Sequence, residues 1–210
     1  MAQRSAVKLA WYRTTQWGLG TAFRLFFGVR TEGSRHVPAT GPVVLLSNHQ
    51  SHLDPPLIGC FTHRPLAIMA RDTLFRGVLG ALIRSYDAIP IDREGSGLAG
   101  IRATLKRLKQ GSAVLMFPEG TRSADGKLQP LKPGFCSLVR RGGVTIVPMA
   151  IAGAYEAWPR TARWPRPRRI AMVWGQPLSA DEIAALSDSE LIDEVTRRIA
   201  DCFATASSKV

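Results

Sequence analysis

The chain has 210 residues, 45% of them hydrophobic, with 28 lysines and arginines against 16 acidic side chains and a formal net charge of +12. That length suits one domain with a sizeable core, and the composition excludes extended disorder. The three cysteines, Cys60, Cys136 and Cys202, are too few and too widely spaced for a disulfide framework or a CxxC metal site, while the surplus of cations implies an anionic partner: nucleic acid, a phosphate-bearing substrate or an anionic membrane face.

The first predicted element is Leu9–Val29. It carries Trp11, Tyr12, Trp17, Phe23, Phe26 and Phe27, is interrupted by Arg13 and Arg24, and is bordered by Lys8 and Arg30. Neither a signal peptide nor a conventional transmembrane helix is expected, because there is no small-residue cleavage site and no run of about 18 apolar residues. Aromatics beside cations over this length read as an amphipathic helix lying in a membrane interface. A helix packed on the domain is the alternative.

Next, Val43–Leu46 reads as a strand buried on both faces. It feeds directly into Asn48-His49-Gln50-Ser51-His52-Leu53-Asp54, and Asp54-Pro55-Pro56-Leu57 then opens a helix, with proline just inside its start. Polar side chains at the carboxyl end of such a strand stand where open α/β sheets bind ligands. An alcohol becomes a nucleophile once its proton can leave, and a neutral imidazole accepts that proton near neutral pH. A carboxylate five residues on can reach back to the other ring nitrogen and fix the tautomer. His49 and Asp54 are therefore a candidate dyad. The spacing alone is weak, since a capping Asp54 beside a structural His49 would look the same. His52 is the alternative base, and His36 and His63 read as surface or packing residues.

Leu66–Met69 is the second strand, and the apolar positions 74, 75, 78, 79, 82 and 83 predict a helix over Thr73–Ser85. A third strand, Ala88–Ile91, runs into Asp92-Arg93, so that Arg93 sits at a strand end. Leu98–Lys109 is a helix with Leu98, Ile101, Leu105 and Leu108 on one stripe. The fourth strand, Ala113–Phe117, is followed by Phe117-Pro118-Glu119-Gly120-Thr121-Arg122-Ser123. Here Gly120 permits backbone conformations closed to other residues, Thr121 and Ser123 supply hydroxyls, and Arg122 supplies a fork for phosphate. Glu119 can orient Arg122 or accept from a substrate hydroxyl.

A short helix, Phe135–Arg141, precedes the strand Thr145–Ile151. Residues 158–169 interleave Trp158 and Trp164 with prolines and with Arg160, Arg163, Arg166, Arg168 and Arg169, and no acidic residue occurs from Ala157 to Ala180. This segment reads as an exposed loop suited to an anionic lipid surface. Ile170–Trp174 is the last strand. Ser179 with Glu182 and Ser187 with Glu190 form capping-box patterns, and Leu191, Ile192, Val195, Ile199 and Phe203 line one face of a final helix. Strands alternating with helices imply an α/β sandwich around a mostly parallel or mixed sheet.

Taken in order, NHQSHLD, IPIDR, FPEGTRS and IVPMAI resemble the four blocks of the glycerolipid acyltransferase family, and within it the bacterial 1-acylglycerol-3-phosphate acyltransferases. The resemblance implies a general base at His49 with Asp54 as its partner, and direct attack of the acceptor hydroxyl on a thioester without an acyl-enzyme. It implies glycerol-phosphate contacts from Arg93, Glu119, Gly120, Thr121 and Arg122, and an acyl side shaped by Val147 and Pro148. No metal or cofactor is implied; acyl-CoA or acyl-carrier protein serves as co-substrate, and a lysophospholipid is the acceptor. Where the family commonly carries a lysine before the second block this chain has Arg71, and Lys132-Pro133-Gly134 follows the third block in place of Lys-Lys-Gly. The expected organisation is an interface segment over residues 1–30, one acyltransferase domain over 31–205 and a frayed tail over 206–210, peripheral or monotopic on the cytoplasmic face of the cell membrane. Within the family, another acceptor such as lyso-ornithine lipid is the rival. A nucleic-acid-binding protein is disfavoured, because it leaves the polar blocks at strand ends unexplained.

Overall fold

The structure, a computed structural model, describes residues 5–86, 88–91 and 98–210. Its centre is a seven-stranded sheet. The strands are β1 (Arg30–Glu32), β2 (Val43–Ser47), β3 (Leu66–Arg71), β4 (Ile89–Ile91), β5 (Ala113–Met116), β6 (Thr145–Ala152) and β7 (Ala171–Trp174), arranged in the order β1-β7-β6-β2-β5-β3-β4. Every pairing is parallel except β6 with β7. The six strands expected from short apolar runs are all present. β1 was not foreseen, because three exposed polar residues at a sheet edge carry no hydrophobic signal.

Side chains alternate across the sheet and feed two cores. Val44, Leu46, Val114, Ile146 and Ala150 face one layer, built from helices α4 (Leu98–Lys109), α5 (Gly134–Gly142), α7 (Ala180–Ala185) and α8 (Asp188–Ser207). Val43, Leu45, Leu115, Val147 and Met149 face the other, where α1 (Ala6–Phe27), α2 (Asp54–Phe61) and the short α6 (Ala154–Ala157) lie. Both capping boxes form: Ser179 Oγ accepts from Glu182 N–H and Ser187 Oγ from Glu190 N–H, with each glutamate answering the serine N–H. At the amino-terminal edge of the sheet, Arg64 donates to the carbonyls of Pro38, Gly41 and Gly111 at 2.7–3.1 Å, so one guanidinium ties three loops together.

Two expectations are corrected. The helix expected over Thr73–Ser85 is broken: Arg76 is extended and Gly77 has φ +59°, so α3 (Gly77–Ser85) starts only after a separate 3-10 turn over Asp72–Phe75. The tail is not frayed at 206, since α8 runs to Ser207, Ala206 is buried, and Lys209 Nζ lies 2.8 Å from Glu32. For α1, the alternative of a helix packed on the domain holds along one side. Tyr12, Gly20 and Phe27 are buried against the domain, while Val7 and Leu25 on the opposite side and Trp17 on the flank are 77–83% exposed. It is packed on the domain and apolar outward at once. The expected role of Arg93 falls outside the described residues.

Candidate functional site

β2 and β5 are hydrogen-bonded neighbours that run the same way, with Leu46 opposite Met116. The chain leaves both at the same edge, so the segments after them, 48–54 and 117–123, meet there although they are far apart in sequence. β6 flanks β2 on its other side, with Ser47 opposite Met149.

The turn after β2 is held by its own side chains. The Asn48 amide donates to Ile151 C=O at 3.0 Å and accepts from Ile151 N–H at 2.9 Å, which continues the pairing of β2 with β6 beyond the last strand residue. Asp54 is fully buried at the first turn of α2, and one of its oxygens, Oδ2, takes three hydrogen bonds: from Gln50 N–H at 2.6 Å, from Ser51 N–H at 2.7 Å and from the His49 ring at 2.7 Å. Two backbone donors thus fix the carboxylate before the imidazole reaches it. Bonding of Nδ1 to the carboxylate puts the proton on that nitrogen and leaves the Nε2 lone pair as the basic site. The ring is stacked on Phe117, with centroids 3.9 Å apart and planes within 17°, so its tilt is set by the third block as well.

The third block also holds the His49 peptide. His49 N–H donates to Glu119 Oε2 at 3.3 Å, and His49 C=O accepts from Ser123 N–H at 2.7 Å. Gln129 N–H donates to the other Glu119 oxygen at 3.4 Å. Glu119 is only 3% exposed, so in this structure it acts as a positioning group between two loops rather than as a side chain open to substrate. Burial pushes its carboxyl up to about 7, against the pull of the Gln129 and His49 N–H donors.

That shift fixes a sign. In the unfolded chain the carboxyl ionises near 4.5, whereas in the fold it keeps its proton to about 7. Between those values the folded state binds more protons, so stability is lost as pH rises through the window and levels off above it. The Tm of Glu119→Gln minus that of the wild type should therefore grow between pH 4.5 and about 7 and then stay constant. Thermal melts across this range check it; a difference that stays level throughout means that the buried carboxyl is already ionised.

Gly120 sits at φ +77°, and a Cβ there would meet Lys132 Nζ at 2.9 Å. The lysine chain lies across the glycine, which brings the ammonium of Lys132 to the third block. Thr121 is exposed beside it, and Arg122 is half-buried. The charge of Arg122 acts on His52, whose ring pKa is lowered by burial first and by Arg122 second. His52 leans on the Trp158 ring, with centroids 5.4 Å apart, and the carboxylate of Asp54 is taken by His49; the alternative base therefore lacks the orienting bond that His49 has. Arg71 closes β3 at the same sheet edge, in register with Ile91 of β4.

Val147 and Pro148 are placed differently from the rest. Both are buried within β6, and successive strand residues point to opposite faces, Val147 into the core under α1 and α2. They do not line one common wall. Free Cys136 and Cys202 are buried, and Cys60 is half-buried with its thiol pushed up to about 11 by desolvation; none of the three belongs to the site.

A family model described as Acyltransferase matches residues 28–152, a span that holds His49, Asp54, Glu119 and Arg122. The chain is 32% identical over 182 residues to 1-acyl-sn-glycerol-3-phosphate acyltransferase alpha of Mus musculus, an alignment covering 79% of this chain and 62% of that protein. It is 26% identical over 174 residues to the 1-acyl-sn-glycerol-3-phosphate acyltransferase of Bacillus subtilis (strain 168), covering 82% of this chain and 84% of the relative. The crystal structure of the 1-acyl-sn-glycerophosphate (LPA) acyltransferase PlsC from Thermotoga maritima shares the fold with a TM-score of 0.81 at 26% identity, covering 96% of this chain and 82% of that one.

Proposed function

Because this chain belongs to the Acyltransferase family, we propose that it transfers a fatty acyl group from acyl-CoA or acyl-carrier protein to the free hydroxyl of 1-acylglycerol 3-phosphate, forming phosphatidic acid. The observation that carries the reading is the His49–Asp54 pair, 2.7 Å apart at the carboxyl end of β2, with the His49 peptide gripped on both sides by the third block. His49 Nε2 takes the proton of the acceptor hydroxyl as its oxygen attacks the thioester carbonyl. The new C–O bond forms, the C–S bond breaks, and the proton passes from the imidazolium to the departing thiolate. No acyl-enzyme forms in this reading, because the hydroxyl attacks the thioester directly; the side chain bonded to the imidazole is Asp54. Arg122, with Gly120 and Thr121 and with Arg93 from the second block, receives the acceptor phosphate, which an arginine fork suits.

The purified protein, given an acyl thioester, should release thiol with lysophosphatidate as acceptor and far more slowly with neutral lysolipids. A panel that adds lyso-ornithine lipid and other lysophospholipids separates the headgroups. Equal rates across the panel, or turnover only with lyso-ornithine lipid, would sink the assignment of acceptor.

The acceptor lives in a membrane, and the docking face we infer is the outer side of α1 together with the loop 158–169. Among the described residues, no helix is long and apolar enough to cross a membrane. The loop returns where α1 ends: Ile170 N–H donates to Phe27 C=O at 3.2 Å. Leu25 and Trp17 of the helix and Trp164 of the loop are 70–83% exposed, and the loop arginines are exposed around them. Such a face fits peripheral or monotopic attachment to the cytoplasmic leaflet, where each cation near an anionic surface contributes on the order of 1 kcal/mol. Reversing the charge of Arg160, Arg163 and Arg166 should weaken binding to anionic liposomes by roughly tenfold or more. Unchanged sedimentation with liposomes means that the loop is merely solvated.

A further inference from the structure

A second cationic feature lies away from the catalytic edge. Arg13, Trp17, Gly20 and Arg24 follow one another on α1 at intervals of four, three and four residues, which places them on one stripe along the flank of the helix, between its buried and its outer face. Between this flank, the end of α2 and the turn after β1 is an open cleft of ≈ 410 Å³, walled by Arg13, Trp17 and Arg24 on one side and by Phe61, His63 and Ser34 on the other. Among the described residues, no carboxylate lines it. We propose that this cleft is a second, non-catalytic site that holds the phosphate headgroup of an anionic diacyl phospholipid of the membrane.

The two guanidinium groups are set in place without acidic partners. Arg24 lies over the Phe61 ring, 4.9 Å from its centroid. Arg13 uses one terminal nitrogen for both of its bonds, to His63 C=O at 2.9 Å and to Gln16 Oε1 at 3.2 Å, which leaves the other end of its fork for a ligand. A phosphate diester oxygen matches guanidinium donors; Arg13 and Arg24 stand about 16 Å apart along α1, so they bracket the cleft, which Ser34 also lines. Gly20 keeps the stripe open between the two arginines: an added Cβ would find Cys60 no nearer than 3.8 Å.

The source of the phosphate follows from position. Trp17 is 77% exposed and stands at the boundary between the cleft and the apolar outer side of α1 that Val7 and Leu25 form. Tryptophan favours headgroup level, so immersing that side brings the mouth of the cleft to the lipid phosphates. The site is distinct from the catalytic one. His63 and Phe61 stand at the carboxyl end of α2, whereas Asp54 is at its amino end, about 12 Å away along eight residues. Occupancy of this cleft ties the protein to anionic lipid by a specific contact, beyond the general attraction of its net charge.

The test uses the purified full chain and short-chain lipids below their micelle threshold, by calorimetric titration. Dihexanoylphosphatidylglycerol, which is no acyl acceptor in the proposed reaction, should bind, with dihexanoylphosphatidylcholine and inorganic phosphate at least about tenfold weaker. Arg13→Gln/Arg24→Gln should lose about tenfold or more in phosphatidylglycerol affinity, as the loss of even one charge-assisted contact requires. Thr21→Trp, which fills the cleft from an exposed position, should do the same if the double variant proves unstable. His49→Ala should bind like the wild type, so failure of the catalytic reading leaves this result standing and readable. Equal affinity of wild type and both cleft variants, equal affinity for the zwitterionic lipid, or loss of binding in His49→Ala overturns the proposal. Inorganic phosphate binding as tightly as phosphatidylglycerol overturns the lipid assignment and makes this a free-anion site.

Discussion

Replacing His49 with alanine is expected to lower kcat for acyl transfer by at least about a hundredfold, the low end of what a general base contributes. The fold should survive. The imidazole is partly exposed, and its removal leaves Asp54 Oδ2 with both backbone donors, Gln50 N–H and Ser51 N–H, in place. The His49 N–H and C=O keep their bonds to Glu119 and Ser123 whatever side chain the residue carries. A thiol-release assay at saturating lysophosphatidate, beside a thermal melt, reads both halves. Retention of more than about a tenth of the wild-type kcat would mean that the acceptor proton leaves by another route.

Asp54 gives the second large effect, and the two obvious substitutions should differ. Asp54→Ala strips the acceptor from two buried N–H groups as well as from the ring. Each orphaned donor costs about 1–3 kcal/mol, so this variant should be poorly folded and uninformative about chemistry. Asp54→Asn keeps an acceptor where three donors converge. Its amide oxygen is drawn to them, so His49 retains the Nδ1–H tautomer and loses only the negative charge behind the developing imidazolium. We expect kcat to fall roughly 10²- to 10³-fold with KM nearly unchanged, short of the ~10⁴-fold loss seen where an amide fixes the wrong tautomer. A KM that rises in proportion would place Asp54 in acceptor binding instead.

Why His49 and Asp54 were legible in the sequence is physical. A buried strand, a turn and a helix opening with proline follow one another closely, so this local order puts ring and carboxylate within reach, where the five-residue spacing alone would also fit a capping Asp54 beside a structural His49. The third block was legible as a phosphate-suited turn for the same reason, since it leaves its strand directly. Contacts between the blocks were not. Glu119 stands 70 residues from the N–H it accepts, and nothing local distinguishes it from an open acid that orients a neighbouring arginine. The stack of His49 on Phe117 and the pairing of Asn48 with Ile151 depend likewise on the strand order β6-β2-β5, which hydrophobic runs do not encode. On α1, composition showed aromatics and cations but not which side the domain would cover. Tyr12 is settled inward by its hydroxyl, which donates to Gly59 C=O at 3.2 Å, while Trp17 stays outside.

The place of β2 in the sheet bears on how the protein is made. Both of its hydrogen-bonding neighbours, β5 and β6, come later in the chain. As the polypeptide leaves the ribosome, Val43–Ser47 has two bare edges until residue 116 has been synthesised and one until residue 152, the whole interval being roughly 5 to 20 seconds at ordinary elongation rates. For that time one of the most apolar stretches of the nascent chain is a template for wrong pairing, and a chaperone that binds early hydrophobic segments would find its best target in the strand that later presents the base.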